Sequence, residues 1–231
     1  MFVWLGSGHA RKRGVKDKGF ELLDEAARAG LPVPAGAVLL DEFYRFAIDK
    51  DLAQPDGRRV VIPDAELWHN TLRYSIRLPR FGRPVCLRAA NGLTVGQAAA
   101  PATDFDDPLS AASAVAAAWS TWPANGAARR DVLLIEAIPA AVAGTATSTT
   151  GATADPVRLR ERSGFGHSLT LARLDGWRRP DVSLPPYARR LQQLLRGARR
   201  TFGPGNWQVD WADDGQVCWL LGVEPLTAGL D

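Results

Sequence analysis

The close of the chain most constrains its fold. Trp207–Ala212 and Gln216–Glu224 are two alternating apolar runs, and Asp213-Asp214-Gly215 stands between them. An Asp-Gly turn flanked by such runs is a strong signal for an antiparallel β-hairpin. A second pair of runs lies upstream. Asp131–Ile138 is strongly apolar and Val142–Thr149 is rich in threonine, so the two read as a hairpin around Pro139-Ala140-Ala141. Helical patterns fall between these strand patterns. Helices mixed with antiparallel hairpins give an α+β fold, not a doubly wound parallel one.

The rest of the chain fits that class. Phe2–Leu5 reads as a short strand and residues 6–14 as a polar loop. Phe20, Leu22, Leu23, Ala26 and Ala27 form a helical stripe that Gly30 stops. Pro32 and Pro34 brace the entry to a strand at 35–40, and Asp41 is placed to cap a helix carrying Phe43, Phe46 and Ala47. Residues 51–63 read as a loop, Pro63 opens a helix to about residue 76, and Val85–Arg88 is a buried strand. Residues 91–108 read as a long loop, followed by an alanine-rich helix from Asp107 or Ser110 to Trp122. Residues 150–168 read as loop-rich, Leu169–Leu174 as a short strand, and Pro185 starts a helix with Leu191, Leu194, Leu195 and Ala198 on one face.

With 231 residues, 46% of them hydrophobic and 23% charged, the chain can build a real core. It has no apolar run long enough to span a membrane, and its N-terminus does not read as a signal peptide. A cytoplasmic protein with no membrane partner is the expectation. Cys86 and Cys218 lie in apolar strand-like runs, which predicts buried thiols and no disulfide framework. Most of the eight tryptophans are expected in the core. Basic residues cluster at 9–18 and 189–200, either as solvated faces or as contacts to an anionic ligand. No aromatic-interleaved motif or zinc-finger spacing accompanies them, which argues against nucleic acid. His167 has no metal-ligand partner at useful spacing and reads as a surface loop residue.

Five blocks, in order, resemble the nucleotide-binding domain of pyruvate phosphate dikinase and phosphoenolpyruvate synthase. They are Phe2–Gly6; the lysine, helix and Gly30-Leu31-Pro32-Val33-Pro34 segment within 15–44; Pro84–Arg88; Asp131–Asp155 with its Val142-Ala143-Gly144; and Gln208-Val209-Asp210-Trp211 through Pro225-Leu226-Thr227. The resemblance implies an ATP-grasp fold, with an N-terminal lobe over 1–125 and a C-terminal lobe over 126–231. It also implies ATP and Mg²⁺ as ligands. Lys18, Arg88, Glu136 and Ile138 fall at nucleotide-contacting positions and Asp210 at the family's metal-ligating glutamate; Glu224, two residues from Gly222 on one strand face, is the candidate to complete a rebuilt metal pair with Asp210.

The departures from the family pattern fall on the chemistry. Lys16-Asp17 replaces two glycines before Lys18, Ala89-Ala90 replaces small polar residues after Arg88, and Thr150-Gly151 replaces an Asn-Pro step. Gly164-Phe165-Gly166-His167 ends in histidine where the family has an acid. In the closing hairpin Gly222 replaces a glutamine, and Glu224 puts an anion where the family has an arginine, which opposes phosphoryl transfer. Three readings stay open. The first is a degenerate stand-alone domain that binds a nucleotide or another phosphate-bearing ligand. The second is an active ATP-dependent phosphotransferase component, working with a separate phosphohistidine carrier or phosphoenolpyruvate barrel protein. The third is a non-catalytic interaction protein.

Overall fold

The structure is a computed structural model and describes residues 1–226 apart from 10, 16, 58, 79, 90–100, 122–128, 162–163 and 175. The expectations placed on Lys16, Ala90, 91–100, Trp122 and Thr227 lie outside the described residues. In chain order the elements are β1 (Phe2–Trp4), α1 (Lys18–Arg28), β2 (Gly36–Leu39), α2 (Asp41–Asp49), β3 (Gln54–Asp56), β4 (Arg59–Val61) and α3 (Ala65–Asn70). A π-helical turn (Thr71–Ser75) extends α3. Then come β5 (Val85–Ala89), α4 (Pro108–Ser120), β6 (Val132–Glu136), β7 (Val142–Ser148), β8 (Ala154–Glu161), β9 (Gly164–Ala172), α5 (Pro186–Phe202), β10 (Trp207–Asp213) and β11 (Cys218–Pro225). This is the expected α+β architecture, with every strand pairing antiparallel. Among the described residues, no helix is long and apolar enough to cross a membrane.

The chain divides into two compact units. The first takes the described residues of 1–17, 35–93 and 98–137; the second takes Lys18–Pro34 and the described residues from Ile138 onward. The units thus cut across the expected 1–125 and 126–231 lobes: α1 belongs with the C-terminal strands, and β6 with the N-terminal ones.

In the first unit the sheet order is β1-β2-β6-β5. Its core gathers Phe43 of α2, Trp68 of α3 and Trp119 of α4, with ring centroids 6.0 Å from Phe43 to each tryptophan. Helix α4 is capped as expected, with the Asp107 carboxylate accepting from Ser110 N–H at 2.8 Å. Asp41 does not cap α2. It is the first residue of the helix, and its buried carboxylate accepts from Arg130 N–H at 2.9 Å and pairs with Arg45 at 2.7 Å. Residues 54–57 and 59–61 form a small hairpin where a loop was expected, with Val60 buried in the core.

In the second unit the sheet order is β11-β10-β7-β8-β9. Val209, Trp211, Val223, Ala146 and Val157 fill its buried face. Helix α1 packs on β11 and α5, and Leu220 N–H donates to Pro32 C=O at 2.8 Å. The closing hairpin forms as the Asp-Gly turn predicts, with a bulge between Asp210 and Trp211. The expected central hairpin does not form. β6 pairs with β2 and β5 in the first unit, and β7 pairs with β10 and β8 in the second, so Pro139-Ala140-Ala141 is a connection between sheets. The reason lies in β6 itself. Val132, Leu133, Leu134 and Ile135 are all buried, which suits a central strand with neighbours on both sides.

Residues 154–161 and 164–172, expected as loop plus a short strand, pair as the long strands β8 and β9. His167 is exposed on β9, not in a loop. Cys218 is buried, whereas Cys86 is only partly so. Trp68, Trp119 and Trp211 are core residues; Trp177 is fully exposed.

Candidate functional site

The closing hairpin positions both expected metal-binding acids. Asp210 stands opposite Gly222, and Gln208 opposite Glu224. On the other side of β10, Thr145 stands opposite Asp210 and Thr147 opposite Gln208. Directly opposed residues of an antiparallel pair share a face, and so do residues two apart on a strand. Thr145, Thr147, Gln208, Asp210, Gly222 and Glu224 therefore lie on one polar face, opposite the Val209–Val223 face that meets the core. Asp210 and Glu224 are diagonal neighbours on it, with Cα atoms about 7–8 Å apart by sheet geometry. Asp210 is buried and Glu224 partly so.

Among the described residues, no cluster of three or more His, Cys, Asp or Glu is placed to hold a metal ion. Two carboxylates do fit Mg²⁺ when water and ligand phosphates supply the other oxygens, the usual arrangement for that ion.

Lys18 opens α1 in the same unit. Its ammonium donates to Glu21 Oε2 at 3.3 Å, an i,i+3 pair on the first turn, and the side chain is 65% exposed. That pairing offsets the unfavourable position of a cation at a helix N-terminus. Ile138 also lies in this unit, partly buried, with its carbonyl accepting from Ala140 N–H at 2.8 Å.

Arg88 and Glu136 lie in the first unit, on adjacent strands. Val85 faces Glu136 and Arg88 faces Leu133 across the β5–β6 pair. Val85 and Arg88 are three residues apart, so Arg88 and Glu136 project from opposite faces of the sheet. The structure therefore does not bring these two together. Glu136 Oε1 accepts from Gly82 N–H at 2.7 Å, which ties the segment before β5 to the end of β6. Arg88 shares its face with Cys86. Burial pushes the Cys86 thiol above its ordinary range, and Arg88 opposes that rise.

One charged cluster was not anticipated from the sequence. Asp155 on β8 accepts from Arg173 Nε at 2.8 Å and from Arg199 Nη1 at 2.6 Å. Arg173 also donates to Ser148 Oγ at 3.1 Å and to Thr149 C=O at 2.7 Å. Nearby in the chain, Arg190 forks onto the buried Asp213 carboxylate at 2.7 and 2.6 Å. These pairs use Arg190 and Arg199 of the 189–200 run to fix α5 to its sheet. Their sequence signal is that basic run, which by itself does not distinguish structural ion pairs from a solvated face or an anion contact.

No protein-family model matches the chain, and no curated protein does. Solved structures do. A RimK domain protein of ATP-grasp type from Sphaerobacter thermophilus is 18% identical, with a TM-score of 0.47 over 90% of this chain and 59% of that one. D-alanine–D-alanine ligase from Bacillus anthracis, complexed with ATP, is 12% identical, with a TM-score of 0.49 over 96% of this chain and 57% of that one. Carboxyaminoimidazole ribonucleotide synthase from Aspergillus clavatus, complexed with ATP, is 13% identical, with a TM-score of 0.46 over 91% of this chain and 44% of that one. The chain thus spans roughly half the length of these proteins.

Proposed function

We propose that this chain is an ATP-grasp-type nucleotide-binding domain, related to the ATP-binding domain of pyruvate phosphate dikinase and phosphoenolpyruvate synthase, and that it does not carry out the dikinase reaction alone. The observation that supports the reading is the polar face of the closing hairpin. Asp210 and Glu224 share it, as a pair that holds Mg²⁺ against a triphosphate must. Bound there, Mg²⁺ would neutralise phosphate charge. Lys18, in the same unit as the two acids, would supply fixed positive charge to the phosphates, and Ile138, also in that unit, would contact the base end of the nucleotide.

The same pair favours a second reading, an active phosphotransferase component whose acceptor sits on a separate phosphohistidine carrier. Glu224 weighs against it, because a carboxylate near the transferring group opposes the charge that develops there. The cytoplasm, where ATP is plentiful, is the proposed compartment.

Thermal denaturation with ATP, with and without Mg²⁺, tests both readings. A ligand at a hundred times its Kd stabilises the folded state by about 2.7 kcal/mol. Binding predicts a rise in melting temperature, and a Mg²⁺-dependent part of that rise that disappears in Asp210→Ala. Absence of any rise at millimolar ATP would refute nucleotide binding.

A further inference from the structure

The end of α3 is built in an unusual way. The helix widens into the π-helical turn, with Ile76 N–H donating to Thr71 C=O at 3.1 Å, and Leu78 N–H then donates back to Leu72 C=O at 3.2 Å. Closing the turn this way puts Arg77 in the left-handed region at φ 59°. Glycine is the favoured residue at such a helix end, because any Cβ there is strained. π-turns and strained non-glycine residues gather at functional sites.

Arg77 borders a concavity of about 510 Å³ that lies wholly within the first unit. Arg73 also lines it, with its side chain only 10% exposed. The Arg73 guanidinium is held by Phe105 C=O at 2.9 Å, Leu78 C=O at 3.5 Å and the Asp106 carboxylate, and it stacks over the Phe105 ring at 5.8 Å. His69 Nε2 lies 3.1 Å from the same Phe105 carbonyl. Arg80 lines the same concavity; burial lowers the Arg73 pKa, Asp106 opposes this, and the like charge of Arg80 lowers it further. Three guanidiniums thus meet two carboxylates, Glu66 and Asp106, and Asp106 is already paired with Arg73. With Asp106 paired to Arg73, Arg77 and Arg80 face one carboxylate, Glu66, which leaves a net charge of +1. A favourable helix C-terminus explains a cation at position 77, but it explains neither the strained conformation nor Arg80.

We propose that this concavity is a second anion site, independent of the nucleotide reading above, which binds the phosphate group of a small phosphate monoester between Arg77 and Arg80. Planar guanidiniums match phosphate oxygens in paired hydrogen bonds. Tyr74, 78% exposed, offers its ring to the organic part of the ligand. The volume suits a small metabolite.

Isothermal titration at constant ionic strength tests the site, with inorganic phosphate and glucose 6-phosphate as probes and the whole chain as the sample. The ester is expected to bind with a Kd of about 1 mM or tighter, and more tightly than free phosphate. Arg80→Gln is expected to weaken ester binding at least about tenfold, and Arg80→Lys less. Arg77→Gly is the discriminating variant. It relieves the left-handed strain, so its melting temperature should equal or exceed that of the parent while affinity falls about fivefold or more. Asp210→Ala should bind the ester normally, which separates this site from the nucleotide reading. The proposal is overturned by no binding at about 20 mM ester, by unchanged affinity in Arg80→Gln or Arg77→Gly, by equal affinity for ester and free phosphate, or by loss of binding in Asp210→Ala.

Discussion

Replacing Asp155 with alanine strands two guanidiniums in the second unit. The carboxylate is 2% exposed, and each of its oxygens accepts from a different arginine, Arg173 at 2.8 Å and Arg199 at 2.6 Å. The arginine side chains are 11% and 22% exposed, so water cannot easily replace the lost anion. Removing one partner of a buried ion pair costs about 3–5 kcal/mol, most of it the penalty of leaving the opposite charge uncompensated. Here two like charges are left facing one another, which argues for the upper part of that range; the partial exposure of Arg199 pulls it back down. A chain of this size loses about 2–4 °C of melting temperature per kcal/mol, so the second unit should melt about 6–20 °C lower.

Calorimetry and urea unfolding of Asp155→Ala measure this directly. A companion variant checks the cause. Asp155→Leu with Arg173→Met and Arg199→Met removes all three charges and keeps side-chain volume, so it should recover much of the lost stability. A loss below about 1 kcal/mol for the single variant, or a triple variant less stable than the single, would refute the reasoning.

Gly144→Ala should destabilise the second unit by about 1–3 kcal/mol in urea unfolding, because a Cβ at this position runs into the Arg158 backbone carbonyl on β8. Asp107 has its pKa lowered by the side-chain and backbone hydrogen bonds of Ser110. Its contribution to α4 is therefore present above the unfolded aspartate value and lost as pH falls through the folded one; Asp107→Asn should flatten that acid limb in a helicity-versus-pH titration. Burial pushes the Cys218 thiol upward, with Asp213 adding to it and Arg190 opposing. Its contribution is full below the unfolded thiol value and lost as pH rises above it. Cys218→Ala should weaken the alkaline loss of stability between about pH 8 and pH 10, and in the parent a thiol reagent should modify Cys86 before Cys218.

Local chemistry made part of this fold legible. Gly30, Pro32 and Pro34 delimit α1 and the entry to β2, and Asp214-Gly215 forces the β10–β11 turn. Strand parity alone places Gly222 and Glu224 on one face. Sheet membership was not legible, because it is non-local. β6 and β7 are apolar runs with a short connection between them, yet β6, from Val132, joins strands that begin far upstream at Val85 and Gly36, while β7 joins strands on its C-terminal side. The β8–β9 hairpin was hidden by its composition. Pro156, Arg158 and Arg160 read as loop, although Pro156 lies just outside the 157–159 stretch that pairs with β7 and so removes no hydrogen bond from that ladder. The opposite faces of Arg88 and Glu136 follow from register, which the sequence does not state. The left-handed Arg77 follows from a π-turn that no periodicity announces.

The placement of α1 has a consequence for biosynthesis. Its buried residues, Phe20, Leu22, Leu23 and Ala26, pack in a unit whose last strand, β11, begins about 190 residues later. At ordinary elongation rates of about 5–20 residues per second, roughly 10–40 s pass between synthesis of the helix and synthesis of its partner. Through that interval the nascent chain carries an amphipathic helix without its docking surface, while the first unit can already close through β6. The second unit is therefore assembled by a helix made first and a hairpin made last, and a ribosome stalled between β6 and β11 holds a chain with one completed unit and one exposed apolar stripe.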